Sequence, residues 1–368
     1  GRTWEKILYI DDMTGVADLV LDPRKPNTVY CTTWERMRLK WNDPRTYETT
    51  RNSAIWKSTN GGRTWEKIVN GLPQANKLGR IGIDIAASNP DILYALVDNY
   101  EVAYPAEPGQ LDSYGRQRQD VIKGATVYKT DNGGKSWKQV SGLTPEMKTY
   151  MERHSSTYGW VFGQIRVDPS DENTIFIMGI PLSKSTDGGK TFVNLRGPHV
   201  DHHGLWVDPD NGNYLLNVQD GGLTISYDQG STWKYPIEEL PLAQFYNIEY
   251  DMSTPFRVFG SIQDHHSFFT TVDLSRGRDN VRATAWDNIL GAEGTTHAVN
   301  KDDNNTIYAS SFYGNLARAE IDNYPMGRKN ILPLTYSDED RLRGQWVAPT
   351  LLSPHNQDIV YHCMQYVL

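Results

Sequence analysis

The sequence predicts an all-β protein, a β-propeller built from four-stranded blades. Two internal repeats support this prediction: a short Gly-containing turn and a strand–turn–strand hairpin. Long stretches of helical periodicity do not interrupt these repeats, and only residues 144–156 have a helical pattern. We expect about seven blades, and we interpret residues 1–368 as a single propeller segment, an internal piece of a longer protein that could belong to a larger ring.

The first repeat is a turn with the pattern Ser/Thr-x-Asp/Asn-x-Gly-x-Ser/Thr-aromatic. Its copies occupy residues 58–65, 130–137, 185–192 and 226–233, and the opening letters GRTW match the second half of one more copy. The Asp or Asn can accept hydrogen bonds from its own turn, the Gly permits a positive φ, and the aromatic ring can pack between sheets. We therefore predict a structural corner between the third and fourth strands, rather than a calcium or sugar site at Asp187 or Asp228. The final aromatics, which are Trp65, Trp137, Phe192 and Trp233, should be mostly buried between neighbouring blades.

The second repeat is a hairpin of two apolar strands around a turn rich in Asp, Asn and Pro. Its seven copies lie at residues 19–31, 85–95, 165–177, 205–217, 248–260, 297–310 and 350–363. After four of them, a third strand leads into the Gly-containing turn and a fourth strand leaves it. The first ten residues are predicted to form a lone outer strand. That strand either completes the last blade beside residues 358–368 or belongs to a blade whose other strands are missing.

Composition excludes several classes of partner. The chain has 368 residues and a net charge of −8, which argues against a nucleic-acid partner. It has no apolar run long enough to span a membrane. Cys31 and Cys363 are the two cysteines, so a disulfide framework is excluded and a single bridge between them stays open. We expect no cofactor.

The repeated turns resemble Asp-box (BNR) repeats, which occur in sialidases, xyloglucanase-type hydrolases, the sortilin ectodomain and a photosystem assembly factor. Over nearly its whole length the chain is most similar to a bacterial group labelled "BNR-repeat glycosyl hydrolase" or "sortilin-like". The similarity is carried by residues 78–97, 201–233, 243–251 and 258–264. It implies a secreted, periplasmic or cell-surface protein with a polysaccharide or a peptide or protein as its ligand.

Propeller geometry then predicts where a site lies. The loop that enters the first strand of a blade and the loop that joins its second and third strands share one face. Six of the nine His lie in such loops, together with several carboxylates. The candidate catalytic carboxyls are Asp201, Asp220, Asp264 and Glu293. The candidate ligand-binding residues are His202, His203, Gln263, His265, His297, Tyr246 and Tyr313. The resemblance implies the same DHH, DGG and QD positions, but this chain departs from the group at residues 265–266.

Three functions compete. A binding module would capture a glycan or peptide without catalysis. A glycoside hydrolase would use a carboxylate pair about 5–10 Å apart. A sialidase proper is disfavoured, because it requires three clamping Arg and a Tyr–Glu pair. A xyloglucanase-type active site is also disfavoured, because its catalytic pair needs one Asp from each of two propellers.

The third candidate function is binding of a divalent metal ion such as zinc. Its ligands would come from the pairs His202–His203 and His265–His266, together with Asp264. Adjacent residues of a strand point to opposite faces, so at most one His of each pair could reach a shared ion. We therefore predict no metal in the site.

Overall fold

The computed structural model describes residues 2–36, 52–111, 117–154, 162–236, 243–281, 285–333 and 342–368. The chain divides into two compact units, Gly1–Glu239 and Leu240–Leu368. Regular structure in the described residues is almost entirely β, and the one α-helix there, α1, spans Pro145–His154. This helix confirms the helical pattern of residues 144–156. None of the helices in these ranges combines the length and the apolar character needed to cross a membrane.

The first unit contains four antiparallel sheets in which consecutive strands pair with each other. Sheet 1 consists of β1 (Thr14–Leu21), β2 (Val29–Glu35), β3 (Ala54–Ser58) and β4 (Glu66–Lys67). Sheet 2 consists of β5 (Leu78–Ile85), β6 (Leu93–Tyr104), β7 (Val121–Thr130) and β8 (Lys138–Gln139). Sheet 3 consists of β9 (Gln164–Val167), β10 (Ile175–Met178), β11 (Leu182–Ser185) and β12 (Val193–Asn194). Sheet 4 consists of β13 (His202–Asp208), β14 (Asn211–Gln219) and β15 (Gly222–Ser226), and a single bridge from Ile225 to Lys234 replaces a fourth strand.

The second unit contains two further sheets of this kind and one hairpin. Sheet 5 consists of β16 (Phe245–Tyr250), β17 (Phe256–Ile262), β18 (Ser267–Val272) and β19 (Asp287–Ile289). Sheet 6 consists of β20 (Thr296–Val299), β21 (Thr306–Ser311), β22 (Asn315–Glu320) and β23 (Lys329–Asn330). The hairpin consists of β24 (Thr350–Leu352) and β25 (Val360–His362).

All seven predicted hairpins are confirmed as antiparallel pairs. Leu19 pairs with Cys31 in the first of them, and Ile165 pairs with Ile177 in the third. The predicted outer strand at the start of the chain is wrong, because residues 2–11 form no strand. This segment instead contacts the Gly-containing turn of sheet 1, where the indole Nε1 of Trp65 donates a hydrogen bond to the Ile7 carbonyl at 3.2 Å.

The four Gly-containing turns have the hydrogen bonds that their sequence predicts. In the third copy, Ser185 Oγ accepts a bond from the Gly189 N–H at 2.9 Å, and Asp187 Oδ1 accepts one from the Thr191 N–H at 2.9 Å. The equivalent bonds occur in the other three copies. The fourth copy has Gln229 where the others have their first Gly, and Gln229 still adopts a positive φ of 56°.

The predicted burial of the turn aromatics is confirmed most fully for Trp137 and Phe192, which are buried; Trp65 and Trp233 are partly buried, and Trp233 packs against the core formed by residues of sheets 3 and 4. Trp137 packs into the core between sheets 1 and 2, and Phe192 packs into the core that includes strands of sheets 2 and 3. Each ring therefore packs against the sheet that precedes its own. Trp65 belongs to sheet 1, and in the described chain only the irregular residues 2–13 precede that sheet.

One end of each sheet in the first unit is closed by paired turns. The N–H groups of Gly61, Gly133 and Gly188 each donate to a carbonyl in the first hairpin turn of the same sheet, and the Gln229 N–H donates to the Asn213 carbonyl near the start of β14. We call the opposite end of a sheet its loop end, because the loop entering the first strand and the loop joining the second and third strands both lie there. The candidate site residues all belong to loop ends.

The two cysteines do not form the disulfide bond that the sequence allowed, because Cys31 and Cys363 both carry free thiols.

Carboxylates link the first strands of neighbouring sheets in the first unit. Asp18 on β1 accepts a hydrogen bond from the Ile83 N–H of β5 at 3.1 Å, and Asp84 on β5 accepts one from the Val167 N–H of β9 at 2.8 Å. Burial raises the pKa of Asp84 to about 6, although the bond from Val167 opposes the shift. The folded state therefore holds the Asp84 proton more tightly than the unfolded state does.

The Asp84→Asn variant should be more stable than the wild type at pH 7.5 and no more stable near pH 4. The sign follows from the raised pKa: in the wild type, stability decreases as pH rises from about 4 to about 6, because the folded state must ionise a carboxyl group that is largely removed from water. Asn can still accept the bond from Val167. Thermal unfolding across this pH range measures the effect. Asp187→Asn is the control, and it should lower rather than raise stability at pH 7.5. Although burial opposes the shift, hydrogen bonds lower the Asp187 pKa, so folding favours the ionised carboxylate that Asn cannot provide. Equal unfolding temperatures of Asp84→Asn and wild type at pH 7.5 would contradict the prediction.

Candidate functional site

A histidine–carboxylate pair lies at the loop end of sheet 4. His203 stands near the start of β13 and Asp220 follows the end of β14, and His203 Nε2 lies 2.7 Å from Asp220 Oδ1. The side chains are 47% and 27% exposed, so both can be reached from solvent. The ring of Phe162 packs on the imidazole with centroids 5.2 Å apart. The sheet thus presents a hydrogen-bonded ionisable pair beside an aromatic ring.

Backbone geometry places this pair. The register of β13 and β14 shifts between His202 and Gly204, so His203 occupies an irregularity in the ladder. The preceding segment is held on sheet 3, because the N–H groups of Asp201 and His202 donate to the carbonyls of Ile180 and Gly179. Asp201 has a φ of 65°, and its carbonyl accepts a bond from the Asp220 N–H at 3.3 Å. The structure therefore brings together the two candidate carboxylate residues of the first unit, Asp201 and Asp220.

The neighbours of the pair in the ladder are buried. His202 points into the protein, as the alternation of side chains predicts, and its Nδ1 lies 3.1 Å from Asn217 Oδ1. Burial lowers the His202 pKa to about 4, despite the opposing bond to Asn217. Across the ladder, the Gln219 amide is buried, and neither of its polar atoms has a hydrogen-bond partner in the described part of the chain. Buried polar groups without partners are rare in folded proteins and call for a specific explanation.

Two residues of this region, His154 and Phe162, were missed by the sequence analysis. His154 ends α1 and is buried, with its Nδ1 3.4 Å from Ser183 Oγ, and burial lowers its pKa to about 4. His154, Phe162 and Asp98 line a cavity of about 10 Å³, which is large enough for roughly one water molecule. Their position in the chain could have identified them. Residues 144–162 precede β9, the first strand of sheet 3, just as residues 199–201 precede β13, the first strand of sheet 4.

The loop end of sheet 5 holds a second polar group. Gln263 Nε2 donates to Asp264 Oδ1 at 2.8 Å, and the Asp264 N–H donates to Glu293 Oε2 at 2.5 Å. Asp264 adopts a φ of 59°. His265 is exposed, and its Nδ1 lies 3.0 Å from the Gln263 carbonyl oxygen. Asp264 and Glu293 are therefore the candidate carboxylate residues that the second unit brings together.

His297 lies near the loop end of β20, but its side chain is buried and does not reach a surface. It is 3% exposed, and its Nε2 donates to the Leu290 carbonyl at 2.9 Å. Burial lowers its pKa to about 4 against this opposing bond. This environment indicates a structural role, and direct contact of His297 with a ligand stays an unsupported prediction.

Four aromatic residues converge at the loop ends of the second unit, and we call them the aromatic cluster: Tyr246, Phe312, Tyr313 and Trp346. The Trp346 ring lies 4.5 Å from that of Phe312 and 5.4 Å from that of Tyr313, between centroids. Trp346 Nε1 donates to the Tyr246 hydroxyl at 3.4 Å. Trp346 was missed by the sequence analysis, because it precedes the short hairpin β24–β25 and no motif marks it.

The predicted convergence of Asp201, Asp220, Asp264 and Glu293 in a single site stays a prediction, because these residues belong to two units. Within the described ranges, no group of three or more His, Cys, Asp or Glu side chains has an arrangement that could hold a metal ion.

Comparisons with known proteins return structural similarity at low identity. The GH74 enzyme of Niastella koreensis matches 95% of this chain at 16% identity with a TM-score of 0.33. The GH74 xyloglucanase of Xanthomonas campestris matches 100% at 12% identity with a TM-score of 0.34. This chain spans 62% and 56% of the lengths of these two enzymes. YCF48 bound to the D1 peptide matches 96% of this chain at 12% identity with a TM-score of 0.37, over 91% of its own length. No protein-family profile and no curated protein matches the sequence.

Proposed function

We propose that the chain is a segment of an Asp-box β-propeller that binds a glycan or peptide ligand at the loop end of its blades, outside the cytoplasm. The observation that carries this proposal is the His203–Asp220 pair. It joins a donor and an acceptor at 2.7 Å on an accessible loop end, with the Phe162 ring in contact with the imidazole. Polar groups fixed beside an aromatic surface are typical of ligand-binding sites.

The pair can hydrogen-bond a ligand in two ways. Because Nε2 of His203 is engaged by Asp220 Oδ1, its Nδ1 and the second oxygen of Asp220 remain as binding groups. The carboxylate accepts bonds from hydroxyl or amide donors. The Nδ1 atom accepts a bond in the neutral imidazole and donates one in the protonated form. Sugar hydroxyls and peptide groups both match this combination.

The alternative function is a glycoside hydrolase, and the hydrogen bond from the Asp264 backbone N–H to the Glu293 carboxylate favours it, because this bond brings two candidate carboxyl residues together. Two carboxyl groups about 5–10 Å apart on either side of a glycosidic bond constitute the usual catalytic pair. If the protein is a hydrolase, Glu293→Gln should abolish the release of reducing sugar from a polysaccharide and leave the melting temperature nearly unchanged. If it is a binding module, wild type and variant will both release none.

Loss of the His203–Asp220 pair should weaken ligand binding roughly 10- to 100-fold, because hydrogen bonds to charged groups contribute about 1.5–3 kcal/mol. The variants are His203→Ala and Asp220→Asn. Binding is measured by calorimetry, with ligands selected by screening the wild type against oligosaccharide and peptide panels.

The matched control for this experiment is Asp210→Asn. Asp210 is an exposed carboxylate in the turn between β13 and β14, at the opposite end of the same hairpin. The control should bind as the wild type does. Equal weakening by Asp210→Asn, or unchanged binding by both pair variants, would contradict the proposed site. Recovery of the full-length protein in the cytosol after cell fractionation would contradict the proposed location.

A further inference from the structure

We propose that the aromatic cluster is a binding platform for a pyranose ring of a neutral polysaccharide. This inference deepens the proposed function, because it assigns a ligand class and a second contact site that lies wholly within the second unit. The cluster assembles residues from three chain segments: the start of β16, the loop between β21 and β22, and the segment before β24.

The rings of the cluster are held in place while two of them stay accessible. Trp346 is 36% exposed and Tyr313 is 49% exposed. The only polar atom of the indole is engaged by Tyr246, so the accessible remainder of the ring is apolar. Contacts with Phe312 and Tyr313 restrict the orientation of the Trp346 ring, which reduces the side-chain conformational entropy lost when a ligand binds.

The backbone at Tyr313 provides an independent observation. This residue has φ 57° and ψ 26°, which is the left-handed region. Aromatic residues rarely adopt this conformation, because they lack the short polar side chain with which Asn or Asp stabilises it. Strained backbone of this kind is concentrated at binding sites and active sites. A glycine would fit the turn with less strain. The exposed ring at this position therefore indicates a role for the side chain itself.

Hydrogen-bonding groups adjoin the platform. A Cβ atom added to Gly294 would lie 2.9 Å from Trp346 Nε1 and 3.2 Å from its Cδ1, so the indole rests on the backbone next to Glu293. Glu293 in turn contacts Asp264, which is bonded to Gln263. The backbone contact at Gly294 therefore connects the platform to this group of carboxylate and amide side chains.

This combination favours a neutral sugar. A pyranose ring offers apolar C–H groups to an aromatic face and hydroxyl donors to acceptors at its edge. Nucleotides and acidic glycans carry negative charge, which Asp264, Glu293 and the net charge of −8 would repel. Proline-rich peptides also bind aromatic grooves, but Pro has no N–H and would offer these carboxylates no additional donor, whereas a sugar offers several hydroxyl groups.

Affinity electrophoresis of the full chain tests the proposal, with gels that contain a neutral β-glucan, a galactomannan, polygalacturonate or no polysaccharide. At least one neutral polysaccharide should retard the wild type, and polygalacturonate should not. Trp346→Ala should weaken retardation roughly 10-fold or more, as expected for an aromatic binding hot spot. Trp346→Phe should preserve most of it. Trp206→Ala is the matched control, because Trp206 is an exposed Trp on sheet 4, outside the cluster.

A second variant separates binding from folding. Tyr313→Gly removes the exposed ring and relieves the backbone strain, so it should weaken retardation about as much as Trp346→Ala without lowering the melting temperature. If both variants bind the neutral polysaccharides as the wild type does, or if no neutral polysaccharide binds the wild type, the inference is wrong. Binding of polygalacturonate or of a proline-rich peptide that depends on Trp346 would overturn the ligand class.

The same measurements distinguish failure of the proposed His203–Asp220 site from failure of the proposed aromatic platform. If His203→Ala and Asp220→Asn leave retardation unchanged and Trp346→Ala abolishes it, the platform stands and the His203–Asp220 site is wrong. If the pair variants lose ligand and Trp346→Ala does not, the proposed function stands and the platform is wrong.

Discussion

Replacing Trp137 with Ala should destabilise the first unit by about 3–5 kcal/mol, the usual cost of truncating a core aromatic residue. Trp137 is 3% exposed and packs with Tyr30, Ile55 and Ile68 in the core between sheets 1 and 2. Its backbone N–H also donates to the Asn70 carbonyl at 2.8 Å, which joins sheet 2 to the segment that follows sheet 1. Urea-induced unfolding followed by circular dichroism measures the loss.

Two matched variants make this result specific. Trp4→Ala should change stability by less than about 0.5 kcal/mol, because Trp4 ends the partial first copy of the turn and is 92% exposed. Trp137→Phe should cost far less than Trp137→Ala. Phe192 occupies the same position in the third turn, and the buried Nε1 of Trp137 has no hydrogen-bond partner among the described residues. A similar loss for Trp4→Ala and Trp137→Ala would show that packing between sheets is not what the turn aromatics provide.

Acid should unfold the protein between about pH 6.5 and pH 4, because four buried imidazoles, those of His154, His202, His297 and His362, have lowered pKa values and must be protonated. Burial lowers the pKa of His154, His202 and His297 to about 4. A lowered pKa means that the unfolded state binds the proton more tightly, so the stability held above pH 6.5 is lost as pH falls towards 4. At about 1.4 kcal/mol per pKa unit, His154, His202 and His297 each contribute roughly 3 kcal/mol to this loss.

Removing one buried imidazole should reduce the acid sensitivity. His297→Gln is the best variant, because a Gln amide can still donate to the Leu290 carbonyl and cannot be protonated in this range. The midpoint of acid unfolding, followed by tryptophan fluorescence, should move to lower pH. His355→Gln is the control, since His355 is exposed, and it should leave the midpoint unchanged. A wild type that keeps its full stability at pH 4 would refute the prediction.

The candidate site residues belong to loop ends, as the strand order predicts, but the contacts among them could not be predicted from the sequence. Strand order assigns His203, Asp220, Asp264 and Glu293 to loop ends, because the first strand begins and the second strand ends there. Which of them touch depends on irregular backbone, such as the ladder irregularity at His203 and the positive φ of Asp264. Hydrophobic patterning does not encode these local departures from regular strands.

The sequence by itself determined the hairpins and the Gly-containing turns, because their hydrogen bonds join residues a few positions apart. Ser185 and Gly189 illustrate this, since the turn forms from one short segment. Tertiary structure alone decided how deeply each turn aromatic is buried and which polar groups meet. Trp346 and Tyr246 are 100 residues apart, and the environment of Trp65 depends on the segment that happens to precede its sheet. Such contacts arise from packing between distant segments, and the periodicity of either segment carries no information about its partner.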